Sequence, residues 1–209
     1  MFLCFLYVYF LEILLEEQTF IKQLKQGKQG AFRKLLKVYQ QKVFNTCISF
    51  VPNNEDAEDI AQEVFLEVFR SVAKFKGDSK LSTWIYRIAT NKCLEFIRKK
   101  NTKKRFAFLQ TIMGGEIPLD KTNYFTEFKH PGILLEHKEK SLIIFKAIHA
   151  LPERQRVIFT LAKIDGKSYQ EIVEITGKSI ASVESLMFRA KKRLQEKLEN
   201  FYKSENSSI

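Results

Sequence analysis

Five side chains on one predicted helix, Glu184, Ser185, Phe188, Arg189 and Lys192, share a face that can exchange hydrogen bonds with base edges and phosphates. The arginine fork suits two phosphate oxygens or the O6/N7 edge of guanine, and a carboxylate can accept from cytosine N4. A second group holds rings beside cations: Phe75, Trp84, Tyr86, Arg87, Asn91 and Lys92. Bases stack on aromatic rings while Lys and Arg follow the phosphates, so this mixture suits single-stranded nucleic acid. The alternative for Trp84 and Tyr86 is an ordinary place in a core. Every charged residue from Asp56 to Glu67 is acidic, and every one from Arg98 to Arg105 is basic. Opposite blocks at separate places predict two kinds of surface, one for a protein partner and one for phosphate.

The sequence offers little for bond-making chemistry. It has no Gly-rich phosphate loop and no nucleophile motif, and its His and Cys residues lack metal-ligand spacing. We therefore expect no catalytic residues, no metal, no cofactor and no small-molecule substrate. Cysteines at 4, 47 and 93 are odd in number and far apart in sequence. Cys47 and Cys93 fall in helical patterns and read as small core residues in a reducing cytoplasm. A formal charge of +11 over 209 residues, with a pI near 9.5, points to a polyanionic partner.

The elements that must position these groups all read as helices, so the class is all-α. Ser168 and Glu171 stand in capping-box spacing, which sets the start of a short helix with Ile172, Val173 and Ile175 on its apolar side. Gly177 ends that helix. A second helix restarts near Ser179, and its Val183, Met187, Ala190 and Leu194 recur at inward spacing. This helix-turn-helix fits the major groove, although a packed helical hairpin with a solvated charged face has the same pattern. Upstream, helices are expected over 19–26, 31–50, 56–75 and 81–100, with a tight Gly77-Asp78-Ser79 loop before the last. Phe32, Leu35, Leu36, Tyr39, Val43, Phe44 and Cys47 are placed on one side of the second. Regularity fails from about Asn101 to Pro131, which reads as an interdomain linker. Helices resume over 133–149 and 152–164, with Pro152 as the first helical residue of the latter.

The organisation is thus two small helical domains, 18–105 and 133–203, joined by an irregular linker at 106–132 and followed by a tail at 204–209. The apolar stretch Phe2–Leu15 is short for a membrane span and lacks a preceding positive charge. Its readings are a core or interface helix, a membrane-surface anchor, or sequence upstream of the natural start, and we favour the last.

The runs DAEDIAQEVFLEVF (56–69) and FKGDSKLSTWIYRIATNKCLEFIRKK (75–100) resemble the second region of bacterial extracytoplasmic-function sigma factors. ALPERQRVIFTLAKIDGKSYQEIVEITGKSIASVESLMFRAKKRL (150–194) resembles their fourth region, in the right order and with no extra domain between. The resemblance implies a cytoplasmic protein that binds core RNA polymerase and directs promoter recognition, DNA opening and transcription initiation. It places Asp56, Asp59, Gln62 and Glu63 at the polymerase. It places Phe75, Lys76, Asp78, Ser79, Trp84, Arg87, Asn91 and Lys92 at the minus-ten element, with a flipped base in a pocket beside the loop. Ser182, Glu184, Ser185, Phe188, Arg189 and Lys192 are placed at the minus-thirty-five element. Glu184 and Leu186 depart from the family, which commonly has basic residues there, and no base contact is expected of Leu186. The resemblance also implies an anti-sigma partner. The rival class is a stand-alone DNA-binding regulator, which has no need of the 56–100 segment. A membrane-attached regulator anchored by Phe2–Leu15 ranks below it.

Overall fold

The computed structural model describes the backbone of residues 16–112 and 138–206, and side chains within 16–102 and 143–199. The Phe2–Leu15 stretch, most of the expected linker and the final residues lie outside the described residues. Every regular element described is helical.

The N-terminal half is built on three long helices after a short α1 (16–25), which ends at Gly27 with φ of 71°. Helix α2 (Gln29–Ile48) buries Ala31, Leu35, Val43, Thr46, Cys47 and Ile48. Leu36, expected inward, is 39% exposed and edges a groove against the next helix. Helix α3 (Asn54–Ser71) starts where Asn53 accepts a 2.7 Å bond from the Asp56 amide, and Glu55 and Asp56 sit in its positive first turn. Its inward stripe is Ala57, Ile60, Ala61, Val64 and Val68, the i, i+3, i+4, i+7 spacing of a half-buried helix. A 3₁₀ turn at Val72–Lys74 leads through the Gly77 loop, where φ is 88°, into α4.

Helix α4 (Leu81–Ile112) corrects the expected boundary near Lys100. Residues 101–112 contain no Gly or Pro, so nothing interrupts the helical hydrogen bonds although the apolar period has faded. The first half of α4 packs on α2 and α3 through Leu81, Ile85, Ala89 and Cys93.

In the C-terminal half, α5 (Lys138–His149), α6 (Glu153–Phe159) and α7 (Tyr169–Thr176) gather around α8 (Ile180–Asn206). Pro152 is the N-cap of α6, one place earlier than expected; its extended ψ of 143° keeps it outside the helix. Helix α6 does not run evenly to Ile164. From Thr160 to Ile164 it widens to a π turn, with the Asp165 amide reaching back 3.0 Å to the Thr160 carbonyl. Such single-turn π segments re-aim a side chain, and here the one delivered is Asp165.

The two halves share a core. Val157, Ile158 and Leu161 belong to the same buried cluster as Cys47, Ile48, Phe50 and Val51. A smaller cluster holds Phe145, Ile148, Leu151, Ala190 and Leu194. Each fully buried Ile or Leu contributes about 1.5–3 kcal/mol. Polar contacts border the shared core. Thr46 donates at 2.9 Å to Asp165, and Arg156 donates at 3.0 Å to the Phe50 carbonyl. His149 Nε2 lies 3.1 Å from the Ile48 carbonyl, so the ring carries its proton there and donates.

Candidate nucleic-acid and polymerase interface

The helix-turn-helix forms as its residues dictate. Ser168 Oγ accepts from the Glu171 amide at 3.2 Å, and the Glu171 carboxylate accepts from the Ser168 amide at 2.9 Å, closing the capping box. Those bonds hold the Glu171 carboxyl below its ordinary range. Gly177 takes the left-handed conformation, φ 68° and ψ 17°, that ends α7 and aims α8. Val183, Met187, Ala190 and Leu194 are buried as spaced, and so is Leu186. Around them Glu184, Ser185, Phe188, Arg189 and Lys192 stand exposed, Phe188 at 70%. Ser182 is half-buried, its amide donating to the Ser179 hydroxyl oxygen, which caps the helix. Arg189 is not loose: Nε donates to the Ser185 carbonyl and Nη2 donates to its hydroxyl at 2.9 Å. One side of the guanidinium is thereby steadied along the helix.

The minus-ten set is only partly on the surface. Lys76 and Asp78 are exposed and Ser79 half-exposed on the loop before α4. Phe75 is buried, 5% exposed with its ring 5.1 Å from that of Trp84, so no base can stack on it in this conformation. It backs Trp84, which remains half-buried. Tyr86 is buried with Lys167 4.1 Å over its ring, which favours the core alternative for that residue. Lys92 sits 3.9–4.0 Å from Glu63, Glu67 and Glu95, turned to the acidic helix rather than outward. Arg87 reaches across to donate to the backbone carbonyl of Glu174 in α7. Asn91 is exposed on the rim of a cleft between α4 and the helix-turn-helix, which Arg98, Arg154 and Lys178 also line. Residues from α1 that the sequence reading did not mark, Glu17, Gln18 and Lys25, join Lys76, Ser79 and Lys80 around a cleft of about 450 Å³ beside the loop.

On α3, Asp59, Gln62 and Glu63 are exposed. Asp56 is spent internally, accepting from Lys100 at 2.7 Å and from Asn53 at 3.0 Å. What the sequence reading missed is apolar. Leu66 and Phe69 are 53% and 58% exposed, and with Phe32, Leu35, Leu36, Gln62 and Phe65 they line an open groove between α2 and α3. The signal was present: both fall outside the stripe that buries Val64 and Val68. Apolar side chains this exposed and adjacent mark a docking surface.

Comparison with known proteins agrees with this geometry. Residues 35–103 match Sigma-70 region 2, and residues 141–194 match Sigma-70, region 4. The chain is 31% identical over 185 residues to the ECF RNA polymerase sigma-E factor of Escherichia coli (strain K12), covering 88% of this chain and 95% of that one. The chain belongs to the ECF RNA polymerase sigma factors. It is 30% identical to the sigma-E factor of Haemophilus influenzae, over 88% of this chain and 96% of the relative. In fold, this sigma factor resembles CnrH in complex with the cytosolic domain of CnrY. That match has a TM-score of 0.64 at 20% identity, over 88% of this chain and 97% of that one. It also resembles the sigma factor RpoE of Bartonella quintana, solved with the anti-sigma factor NepR. There the TM-score is 0.60 at 24% identity, over 80% and 96% of the two chains. As a sigma factor, the chain binds core RNA polymerase and directs promoter recognition, DNA opening and transcription initiation.

Proposed function

We propose that each surface of this sigma factor has a separate task. The α8 face reads the minus-thirty-five element from the major groove, with Arg189 as the main contact and Ser185, Phe188 and Lys192 beside it. The observation that carries this is the division of α8 into one buried stripe and one exposed polar-aromatic face behind a capped, glycine-terminated turn. The loop 76–80 with Trp84, Arg87 and Asn91 holds the opened minus-ten strand, and the cleft beside the loop receives an extruded base. Unpairing and unstacking cost several kcal/mol, which trapping a base offsets. The α2–α3 groove, lined by Leu66, Phe69 and Gln62, together with the exposed Asp59 and Glu63 of α3, docks on a polymerase surface that is apolar and basic.

In this reading the chain performs no bond-making chemistry, works in the cytoplasm and has an anti-sigma protein as a further partner. The domain limits proposed from sequence, 18–105 and 133–203, serve as the units for these roles. Run-off transcription with core polymerase on a randomised promoter library tests the assignment. Transcripts are expected only when chain and core are combined, with enriched sequence at both elements. Enrichment at neither element would overturn it, and so would initiation unaffected by removing the chain.

A further inference from the structure

Between α4 on one side and α6, α7 and the Gly177 turn on the other lies a cleft of about 500 Å³. Arg87 and Arg98 line it from α4, Arg154 from α6, and Lys178 from the turn after α7. Glu153 is the one carboxylate on its wall, and Arg98 pairs with it at 3.1 Å. Arg87 is partly engaged, donating to the Glu174 carbonyl. Arg154 and Lys178 have neither an ion pair nor a side-chain hydrogen bond among the described residues. Like charges lining one cleft repel each other, and protein walls screen them less than open water does. With Glu153 already neutralised, no other acidic side chain on the wall offsets them.

The rest of the wall is apolar or neutral. Leu94, Val157 and Ile175 supply aliphatic surface, and Asn91 exposes an amide at the rim that can both donate and accept. Thr90 lines the same wall with a buried hydroxyl that has no hydrogen-bond partner among the described residues. Cations beside aliphatic surface and an amide match a ligand with a compact polyanion at one end and a flat, weakly polar ring at the other. The cleft falls within the roughly 300–1,000 Å³ typical of small-molecule sites. An extended single strand instead follows a long basic groove with aromatic rings for successive bases, and no aromatic side chain lines this cleft. One base alone can rest on aliphatic side chains or on the plane of a guanidinium.

We propose that this cleft binds a nucleoside polyphosphate. Arg87, Arg154 and Lys178 hold the phosphates, Leu94, Val157 and Ile175 take the base, and Asn91 bonds its edge. The ligand touches both halves of the chain and stabilises the folded molecule by mass action. Arg87 and Asn91 are also assigned to the opened minus-ten strand, whereas Arg154 and Lys178 carry no promoter role. The latter pair therefore tests the site independently of the promoter assignments.

Isothermal titration calorimetry of the full-length chain with ATP and with GTP, without divalent metal, measures the site. Saturable one-to-one binding is expected for at least one nucleotide, about tenfold or more tighter than for tripolyphosphate or the bare nucleoside. Arg154→Glu with Lys178→Glu should weaken it by at least about tenfold, because two carboxylates would then face the phosphates. Arg33→Glu with Lys37→Glu makes the same change in net charge on exposed positions of α2 that do not line the cleft. That pair should leave affinity within about twofold of the parent. Circular dichroism and thermal unfolding accompany each variant. If the first pair disturbs the fold, Arg154→Gln with Lys178→Gln should show a smaller loss in the same direction. Absence of saturable binding to both nucleotides overturns the proposal. Equal losses in the two charge-reversed pairs also overturn it, since attraction by net charge alone would account for them. Tripolyphosphate bound as tightly as the nucleotide overturns the ligand class. If Arg154→Glu with Lys178→Glu loses affinity only for a single-stranded minus-ten pool, the cleft serves the strand and the nucleotide site is rejected.

Discussion

At the residue scale, Asp165 shows how burial sets protonation. Its Oδ1 accepts from the Thr46 hydroxyl, while Oδ2 is buried without a partner. Desolvation raises its pKa to about 7, against the lowering pull of Thr46 and Lys167. A folded pKa above the unfolded value means that the native chain holds an extra proton. The associated stability is full below pH ~4 and is lost as pH rises through 7. His149 runs the other way, its pKa lowered to about 4, chiefly by burial. Its contribution is present above pH ~6.5 and lost as pH falls through 4. The two oppose each other between those limits. Asp165→Asn removes one, so the variant should gain stability with rising pH where the parent is nearly flat. At pH 8 it should exceed the parent by an amount on the order of 2–4 kcal/mol in urea unfolding. A parent-like pH profile would contradict the buried, protonated carboxyl. Arg189 gives a second prediction at this scale. If its fork meets guanine, Arg189→Ala should cost about 1–3 kcal/mol of binding and relax preference at one base pair. If it meets phosphate alone, the loss should be equal for all sequences and the salt slope should shrink by about one unit. Binding to a randomised minus-thirty-five duplex at two salt concentrations separates these outcomes.

At the element scale, α3 has an inner stripe that builds the core and an outer surface that carries charge and apolar side chains together. Phe69→Asp should weaken polymerase binding by more than about tenfold while leaving minus-thirty-five affinity unchanged, because its ring is among the exposed apolar groups of the groove. Asp59→Lys with Glu63→Lys should weaken the same binding more at low salt than at high salt, since rim charges are screened. Surface plasmon resonance with immobilised core enzyme measures both, and equal affinity of either variant and the parent would remove that group from the docking surface. The turn between α7 and α8 supplies a stability test. Gly177 has open space for a Cβ but a φ of 68°, so Gly177→Ala meets no clash and still pays for the left-handed backbone. The expected loss is about 1–2 kcal/mol in thermal or urea unfolding, with lower minus-thirty-five affinity because the aim of α8 depends on that turn.

At the scale of the whole molecule, docking and opening are separable because they use different surfaces. Trp84→Ala and Arg87→Ala should reduce initiation on duplex promoters more than on templates already mismatched at minus-ten, where the unpairing cost is absent. Equal losses on both templates would point to a folding defect, a real alternative for Trp84 because its ring packs on Phe75. Permanganate footprinting on the two templates, with melting temperatures alongside, decides it. The same scale explains which expectations needed adjusting. Side-chain periodicity located the inward face of α8 residue by residue, and capping chemistry located α7, because these depend on neighbours within one turn. The surroundings of Phe75, Lys92, Asp56 and Tyr86 were not legible locally because their partners, Trp84, the α3 carboxylates, Lys100 and Lys167, come from other elements.

By itself the sequence determined the all-α class, the helix-turn-helix, the order of its two regions and hence the family. All of these follow from local spacing of apolar residues, caps and glycines. It did not reveal that Cys47 and Cys93, 46 positions apart, share one buried cluster, where desolvation first and the neighbouring thiol second push the Cys93 thiol up. Nor did it show the π turn that carries Asp165 to Thr46, or Arg87 lying on Glu174. Those depend on contacts between distant segments, which no local pattern records. Tertiary structure alone decided which charged side chains remain free for polymerase or DNA and which are held against another helix.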